Sequence, residues 1–328
     1  TYIGGGIVPS TGSNAGVGRG PAFVIEADEY DYMFLGLRPQ VAVITNVEHD
    51  HPDLFPELGD VVRAFNQFAA LLPEDGLLVA CADDPIAATL GHNRRVMQWP
   101  VASYGLHNPV ADWQAADWQP NNMGGMNFTL RCEGGAQVLG RVMLRVPGEH
   151  NVQNALAALI VVNHLGVPLA DALAALATFS GAERRFDVRG EARGVTVIDD
   201  YAHHPTAIRA TLAAARDRYP RSPIWAVWQP HTYSRLRALW DGFATAFNPS
   251  QVDHVLVTDV YAAREQPGEG PDVPDLVGQI AHPDVRHVAS LADAVEALAS
   301  GVKPGDVVII LSAGDAPQIG RLLLAALA

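Results

Sequence analysis

Five runs dominated by valine and isoleucine constrain the fold of this chain more than any other feature: VTVID (195–199), IWAVW (224–228), HVLVTDV (254–260), VRHVA (285–289) and DVVIIL (306–311). They barely alternate between apolar and polar residues, so each predicts a strand buried on both faces, as in a parallel sheet covered by helices. Helical spacing of apolar residues over 206–218, 235–247, 291–299 and 318–327 supplies the covering segments.

The first half of the chain shows a similar alternation. Strand-like VAVIT (41–45) is followed by helical spacing over 61–72 and by a strand and turn in GLLVACADD (76–84). From about residue 99 to 146 the texture changes to short runs such as NFTLRC and VLGRVMLRV, separated by Gly and Asn, which predict antiparallel strands with hairpin turns. Two helices follow, over 151–166 and 169–180, the first closed by a glycine. The expectation is a doubly wound α/β chain of two domains, 1–184 and 185–328, with no short-period repeat and no low-complexity tract.

At 328 residues, 48% of them hydrophobic, the chain has material for two cores of ordinary size. Its net charge of −14, with no basic stripe to offset it, argues against nucleic acid or an anionic membrane as partner. Phosphate chemistry must then be local, borrowed from a metal and a few arginines. Cys81 and Cys132 fit a reducing compartment, and neither stands in a metal-ligand spacing. No apolar run approaches the roughly 20 residues of a membrane helix, and TYIGGGIVPS is not a signal peptide, so a cytoplasmic protein is expected. A start at Thr1, entering a β-like run at once, reads as a chain whose N-terminal part is missing.

Two strand ends carry the first candidate chemistry. PAFVIEADEYD (21–31) and VAVITNVEHDH (41–51) each open onto carboxylates and histidine. In a parallel sheet, ligands sit beyond the carboxyl ends of the strands, so Glu26 and His51 are expected to share a site for Mg²⁺ or Mn²⁺ completed by nucleotide phosphates. Asp28, Glu29, Asp31, Glu48, His49, Asp50 and Asp53 crowd the same ends, where a cation would relieve their repulsion. The blander reading is that these acids cap helices and turns. The glycines at 4–6 and 16–20 are turns, since no Gly-Lys-Ser/Thr phosphate loop occurs anywhere in the sequence.

PGEHNVQN (147–154) opens a helix with His150, Asn151 and Asn154, whose amides share a face and can both donate and accept, as an adenine edge requires; Asn151 as a plain helix cap is the alternative. AERRFDV (182–188) places Arg184 and Arg185 at the domain junction, where a guanidinium could hold a terminal phosphate or pair with an acid. IDDYAHHP (198–205) and QPHTYSR (229–235) follow successive strands, bringing Asp200, Tyr201, His203, His231, Ser234 and Arg235. Asp259 with Tyr261, and SAGD (312–315), mark two further strand ends. Four strand ends aiming polar groups the same way predict a cleft in the second domain.

In order and spacing, EADEYD, TNVEHDHPD, PGEHNVQNA, RRFD, DDYAHHP, QPHTYSR and SAGD resemble the Mur ligases, and among them the branch that joins L-alanine to UDP-N-acetylmuramate. The resemblance covers nearly the whole chain, and DDYAHHP with QPHTYSR is specific to that branch. It implies the remainder of a P-loop-type central ATPase domain, with a small antiparallel β section, followed by a Rossmann-like C-terminal domain. It also implies ATP and Mg²⁺ (or Mn²⁺), and an acyl-phosphate intermediate in peptidoglycan precursor synthesis. Glu26 and His51 would bind metal; His150, Asn151 and Asn154 would contact adenine; Arg185 would meet phosphate; Asp200 would hold the ribose. His203, His231 and Arg235 would line the amino-acid and acyl-phosphate site, Arg235 facing the alanine carboxylate. Thr232 stands where many relatives carry arginine, which places more of that role on Arg235. Without a phosphate loop the chain itself is expected to be inactive. The alternatives are the tripeptide-recycling relative and a non-catalytic nucleotide-binding module.

Overall fold

The computed structural model describes residues 1–266 and 270–328. The chain divides into two compact units, Thr1–Gly5 with Asn14–Ser180 and Gly6–Ser13 with Gly181–Ala328. Strands β1 (Tyr2–Val8), β2 (Ser13–Gly16) and β3 (Val24–Ile25) form a small sheet in the order β2-β1-β3. Within it, β3 pairs in parallel with β1 through Tyr2 and Val24, then Ile3 and Ile25.

A 3-10 segment, Tyr30–Gly36, precedes the main sheet of the first unit. That sheet contains β4 (Val41–Ile44), β5 (Leu77–Cys81), β6 (Val101–Gly105), β7 (Trp113–Pro120), β8 (Met126–Cys132) and β9 (Gln137–Met143) in sequence order. Helices α1 (Leu58–Ala70), α2 (Pro85–Val96), α3 (Glu149–His164) and α4 (Leu169–Thr178) complete the unit. Val61, Ala64 and Phe68 recur at helical spacing on the buried side of α1, and Phe68 stacks on Phe34 with centroids 4.8 Å apart. On α2, Asp84 caps the first turn by accepting the amides of Ile86 and Ala87, with Pro85 pre-set for the first helical position.

Two expectations for this unit are corrected. Strands β3 and β4 do not lie side by side, because β3 belongs to the small sheet while β4 forms the edge of the large one. The expected antiparallel section begins late, since β6 is parallel to both β5 and β7, and antiparallel pairing is confined to β7 with β8 and β8 with β9. A run of residues short enough to serve a hairpin serves a parallel edge equally well, so texture alone could not separate the two.

The second unit is one sheet in the order β10-β11-β15-β12-β13-β14. Its elements are β10 (Asp187–Ala192), β11 (Val195–Asp200), α5 (Pro205–Arg218), β12 (Ile224–Trp228), α6 (Tyr233–Ala238), α7 (Trp240–Ala244), β13 (His254–Val257), α8 (Val273–Val277), β14 (Val285–His287), α9 (Leu291–Gly301), β15 (Val307–Leu311) and α10 (Pro317–Leu327). The five strands expected from the valine-rich runs are parallel, and β10 adds an antiparallel edge on β11 that its polar sequence did not announce. Alternate residues divide between two cores: Ile198, Ala226, Trp228, Val255 and Ile309 on one face, Val197, Trp225, Val227, Leu256 and Ile310 on the other. Each face is apolar because helices cover both. The single helix expected over 235–247 is broken at Leu239, whose φ of −112° and ψ of 22° leave the helical region. Because β15 inserts between β11 and β12, the SAGD turn lies between the two histidine-bearing segments.

Candidate functional site

The parallel strands of the second unit end together, and their loops interlock. After β12, Gln229 is buried; its Nε2 donates to Asp315 Oδ1 at 2.7 Å, and its Oε1 accepts from Ser312 Oγ at 2.8 Å and from the amide of Ala316 at 3.1 Å. Ser312 Oγ also accepts the amide of Gly314 at 2.8 Å. A Cβ on Gly314 would fall 2.6 Å from Gln229 Oε1 and from Tyr261 Cγ, so the SAGD turn needs glycine there for space. The expected convergence of four strand ends is what the sheet presents, with Gln229 tying two of them, a role that sequence reading missed.

His231 and His203 approach across this end, their ring centroids 5.9 Å apart. Arg235 Nη1 donates to Nδ1 of His231 at 2.9 Å. A guanidinium has only donors, so Nδ1 of His231 must accept and the ring proton sits on Nε2. The reverse holds at His203, whose Nδ1 lies 2.8 Å from the Tyr201 carbonyl and must donate. In its neutral form His203 therefore carries its proton on Nδ1 and His231 carries its proton on Nε2. Arg235 itself is 3% exposed. Glu265 holds the same loop from outside, accepting the amides of Tyr233 and Ser234 at the start of α6. No spacing or motif in the sequence marks Glu265 for this.

The RRFD turn packs on the end of β11. Asp200 is buried, its Oδ2 accepting the amide of Phe186 at 2.7 Å and its Oδ1 that of Ala202 at 2.8 Å. Burial pushes its carboxyl above the usual carboxylate range, against these two bonds. A ribose meeting Asp200 would have to use lone pairs left over on oxygens already engaged. Asp199 faces Arg184 Nε at 3.3 Å, a close ion pair rather than an aligned hydrogen bond; burial outweighs that attraction and raises the Asp199 pKa. Arg185 is exposed.

In the first unit, Gly148 turns the chain into α3 with φ 91°, and Val152, Ala155, Leu156 and Leu159 bury the face of that helix. Asn151 is not an N-cap: its Nδ2 donates to the Pro147 carbonyl at 2.8 Å and lies 3.1 Å from His150 Nε2. Asn154 is exposed and reaches Asn151 Oδ1 at 3.5 Å, so the three polar residues form one group at the helix start. Asp83, which sequence reading passed over, accepts the amides of Leu106, His107 and Asn108 and the side chain of Gln153, fixing the loop after β6 against α3.

The two acidic motifs meet. His51 Nε2 lies 3.4 Å from Glu29, and Tyr30 Oη donates to Asp53 at 3.2 Å. Glu26 directly follows β3, and its Oε2 accepts the Gly5 amide at 2.6 Å. Among the described residues no three His, Cys, Asp or Glu side chains are grouped to hold a metal. The oxygen-rich surroundings and the buried, unbonded Nδ1 of His51 nonetheless suit one protein ligand each to a cation that draws its remaining ligands from phosphate and water. The hydrogen bond from His51 holds Glu29 below the usual carboxylate range.

A cavity of about 350 Å³ lies at the opposite, N-terminal ends of the second unit's strands, lined by Trp225, His254, Arg286 and Lys303. Lys303 is the sole lysine of the sequence, so no lysine is available at either motif-bearing region.

Residues 9–162 match the Mur ligase middle domain, and residues 184–314 the Mur ligase glutamate ligase domain. The UDP-N-acetylmuramate–L-alanine ligase of Roseiflexus sp. (strain RS-1) is 42% identical over 336 aligned residues, covering 98% of this chain and 71% of that protein. The chain belongs to the Mur ligase family.

A second Mur ligase, the UDP-N-acetylmuramate–L-alanine ligase of Caldanaerobacter subterraneus subsp. tengcongensis, is 40% identical over 99% of this chain and 69% of its own length. Among solved Mur ligases, the UDP-N-acetylmuramate-alanine ligase MurC of Thermotoga maritima superposes with a TM-score of 0.75 at 27% identity, covering 98% of this chain and 67% of that one. The murein peptide ligase mpl of Psychrobacter arcticus gives 0.64 at 26%, covering 96% and 65%. Mur ligases are ATP-dependent, and among the described residues no helix is long and apolar enough to cross a membrane.

Proposed function

We propose that this chain carries the nucleotide and amino-acid sites of an enzyme that joins L-alanine to UDP-N-acetylmuramate in the cytoplasm, with 1–184 as the ATP-binding part and 185–328 as the C-terminal domain. The observation that carries the reading is the identity near 40% to L-alanine ligases along nearly the whole chain. The murein peptide ligase is the second reading, supported by its weaker likeness.

The reaction is carboxylate activation. The muramoyl carboxylate takes the γ-phosphoryl group of ATP, the alanine amine attacks the acyl phosphate, and inorganic phosphate leaves. Such chemistry depends mainly on positioning and charge neutralisation. His150, Asn151 and Asn154 present amides and a ring to the adenine edge. Arg185, exposed at its turn, meets phosphate. His203 takes a proton from the alanine ammonium, leaving the neutral amine that attacks, while His231, oriented by Arg235, donates to the acyl-phosphate oxygen or the alanine carboxylate. Asp200 fixes the turn beside them and reaches a ribose with its remaining lone pairs. Glu26 and His51 are the residues that would hold a divalent cation, which neutralises phosphate charge when bound.

Since the 328 residues contain no Gly-Lys-Ser/Thr sequence, this chain alone does not turn over ATP. Oxygen-18 in the muramoyl carboxylate tests the mechanism in the protein as its gene encodes it. One labelled oxygen should appear in the released phosphate; unlabelled phosphate in the presence of ligated product would exclude the acyl phosphate.

A further inference from the structure

Arg184 and Phe186, on either side of Arg185, hold φ angles of +59° and +51°. Side chains of L residues seldom adopt this left-handed region, and it persists only where the surroundings over-determine it. Here they do. The Arg184 carbonyl accepts the Tyr201 amide at 2.7 Å, the Phe186 amide donates to Asp200, and the Arg184 amide reaches Asp187 at 3.3 Å.

The two guanidiniums are held differently. Arg184 Nη2 donates to the Ser312 carbonyl at 2.6 Å, Nε faces Asp199 at 3.3 Å, and Cζ lies 5.1 Å from the centroid of the Tyr201 ring. Arg185 shares that ring, 5.3 Å from its centroid, but is exposed. We infer that Arg184 is a positioning residue: it binds no phosphate, and through the Ser312 carbonyl, Asp199 and the Tyr201 face it holds the strained turn that aims Arg185. Through Ser312 the same contacts reach Gln229 and so the loop bearing His231. This inference rests on the ligase reading for the role of Arg185, but the clamp itself does not.

A residue acting through geometry is not replaced by charge alone. Lysine keeps the charge of arginine and lacks its planar fork, which here meets a carbonyl, a carboxylate and a ring at once. The test compares Arg184→Lys and Arg184→Met with Arg185→Lys and Arg185→Met, reading kcat and KM for ATP in the protein as its gene encodes it. It also follows hydrogen exchange at the Phe186 and Tyr201 amides in the 328-residue chain. Both Arg184 variants should lose kcat alike, by about 10- to 100-fold as misplacement of a catalytic group does, with KM for ATP within about twofold. Both should also speed exchange at the two amides by at least about tenfold. Arg185→Lys should keep more activity than Arg185→Met, with exchange unchanged. Activity of Arg184→Lys well above that of Arg184→Met, or unchanged exchange in the Arg184 variants, would overturn the inference. If the unsubstituted protein shows no ligase turnover, the ligase reading fails, and the exchange measurement alone judges the clamp.

Discussion

Ser312 donates its hydroxyl to the side-chain oxygen of Gln229 at 2.8 Å, and both residues are buried where β12 and β15 end. Every polar atom of the Gln229 side chain is engaged: the oxygen by Ser312 and Ala316, the amide by Asp315. Gln229→Leu keeps the approximate volume and strands a hydroxyl, a backbone amide and a carboxylate. At about 1–3 kcal/mol for a buried unsatisfied group, offset where solvent reaches Asp315, the expected loss is about 3 kcal/mol. Urea unfolding of the 328-residue chain checks this. A change below about 1 kcal/mol would mean that the strand ends are not tied here.

Gly314→Ala should disturb the same junction without removing a polar group. The added methyl would meet Tyr261 Cγ and Gln229 Oε1 at 2.6 Å, the latter held by Ser312 and the Ala316 amide. Overpacking of this kind costs roughly 1–3 kcal/mol. Calorimetry should show a lower Tm, and an unchanged Tm would place free space where the structure has none.

Asp199 gives a pH dependence of defined sign. Its folded-state pKa is raised, with burial as the largest cause, so ionisation is harder in the folded protein than in the unfolded chain. The stability linked to this group is fully present below its unfolded value near 3.8 and is lost as pH rises through the folded value. Asp199→Asn removes that loss. The variant should match or exceed the unsubstituted chain in urea midpoint at pH 8, with the difference shrinking toward pH 4. A variant clearly less stable at pH 8 would show that Arg184 compensates Asp199 fully.

Glu29 has the opposite sign. The hydrogen bond from His51 lowers its pKa, so the linked stability is present above the ordinary value of 4.5 and is lost as pH falls through the lower folded value. Both side chains are partly exposed, and solvent screening keeps the effect below about 1 kcal/mol. His51→Gln should cost little at pH 7 and still less at pH 3. A deficit that grows on acidification would contradict the pairing.

The parallel sheet of the second unit was legible because burial on both faces leaves an unbroken apolar run, as in IWAVW and VVIIL. Strand β10, with sequence DVRGEA, was not legible: an edge strand half open to solvent carries no such signature. Strand order is harder still. Nothing in PAFVIEADEYD says that Val24 and Ile25 pair with Tyr2 and Ile3 instead of joining β4, because neighbours in a sheet are fixed by contacts far apart in sequence. At the site, His203, His231 and Arg235 were legible as strand-end polar residues. Glu265 and Asp83, which work by accepting backbone amides, were invisible, since any acid in any loop offers the same sequence signal.

The most direct test of the ligase reading is ADP release by the protein as its gene encodes it, given UDP-N-acetylmuramate, Mg²⁺ and either L-alanine or the L-Ala-D-Glu-diaminopimelate tripeptide. Release with L-alanine and none with the tripeptide is the expected result. Release with the tripeptide alone would make this a recycling ligase, and no release with either would contradict the ligase reading altogether.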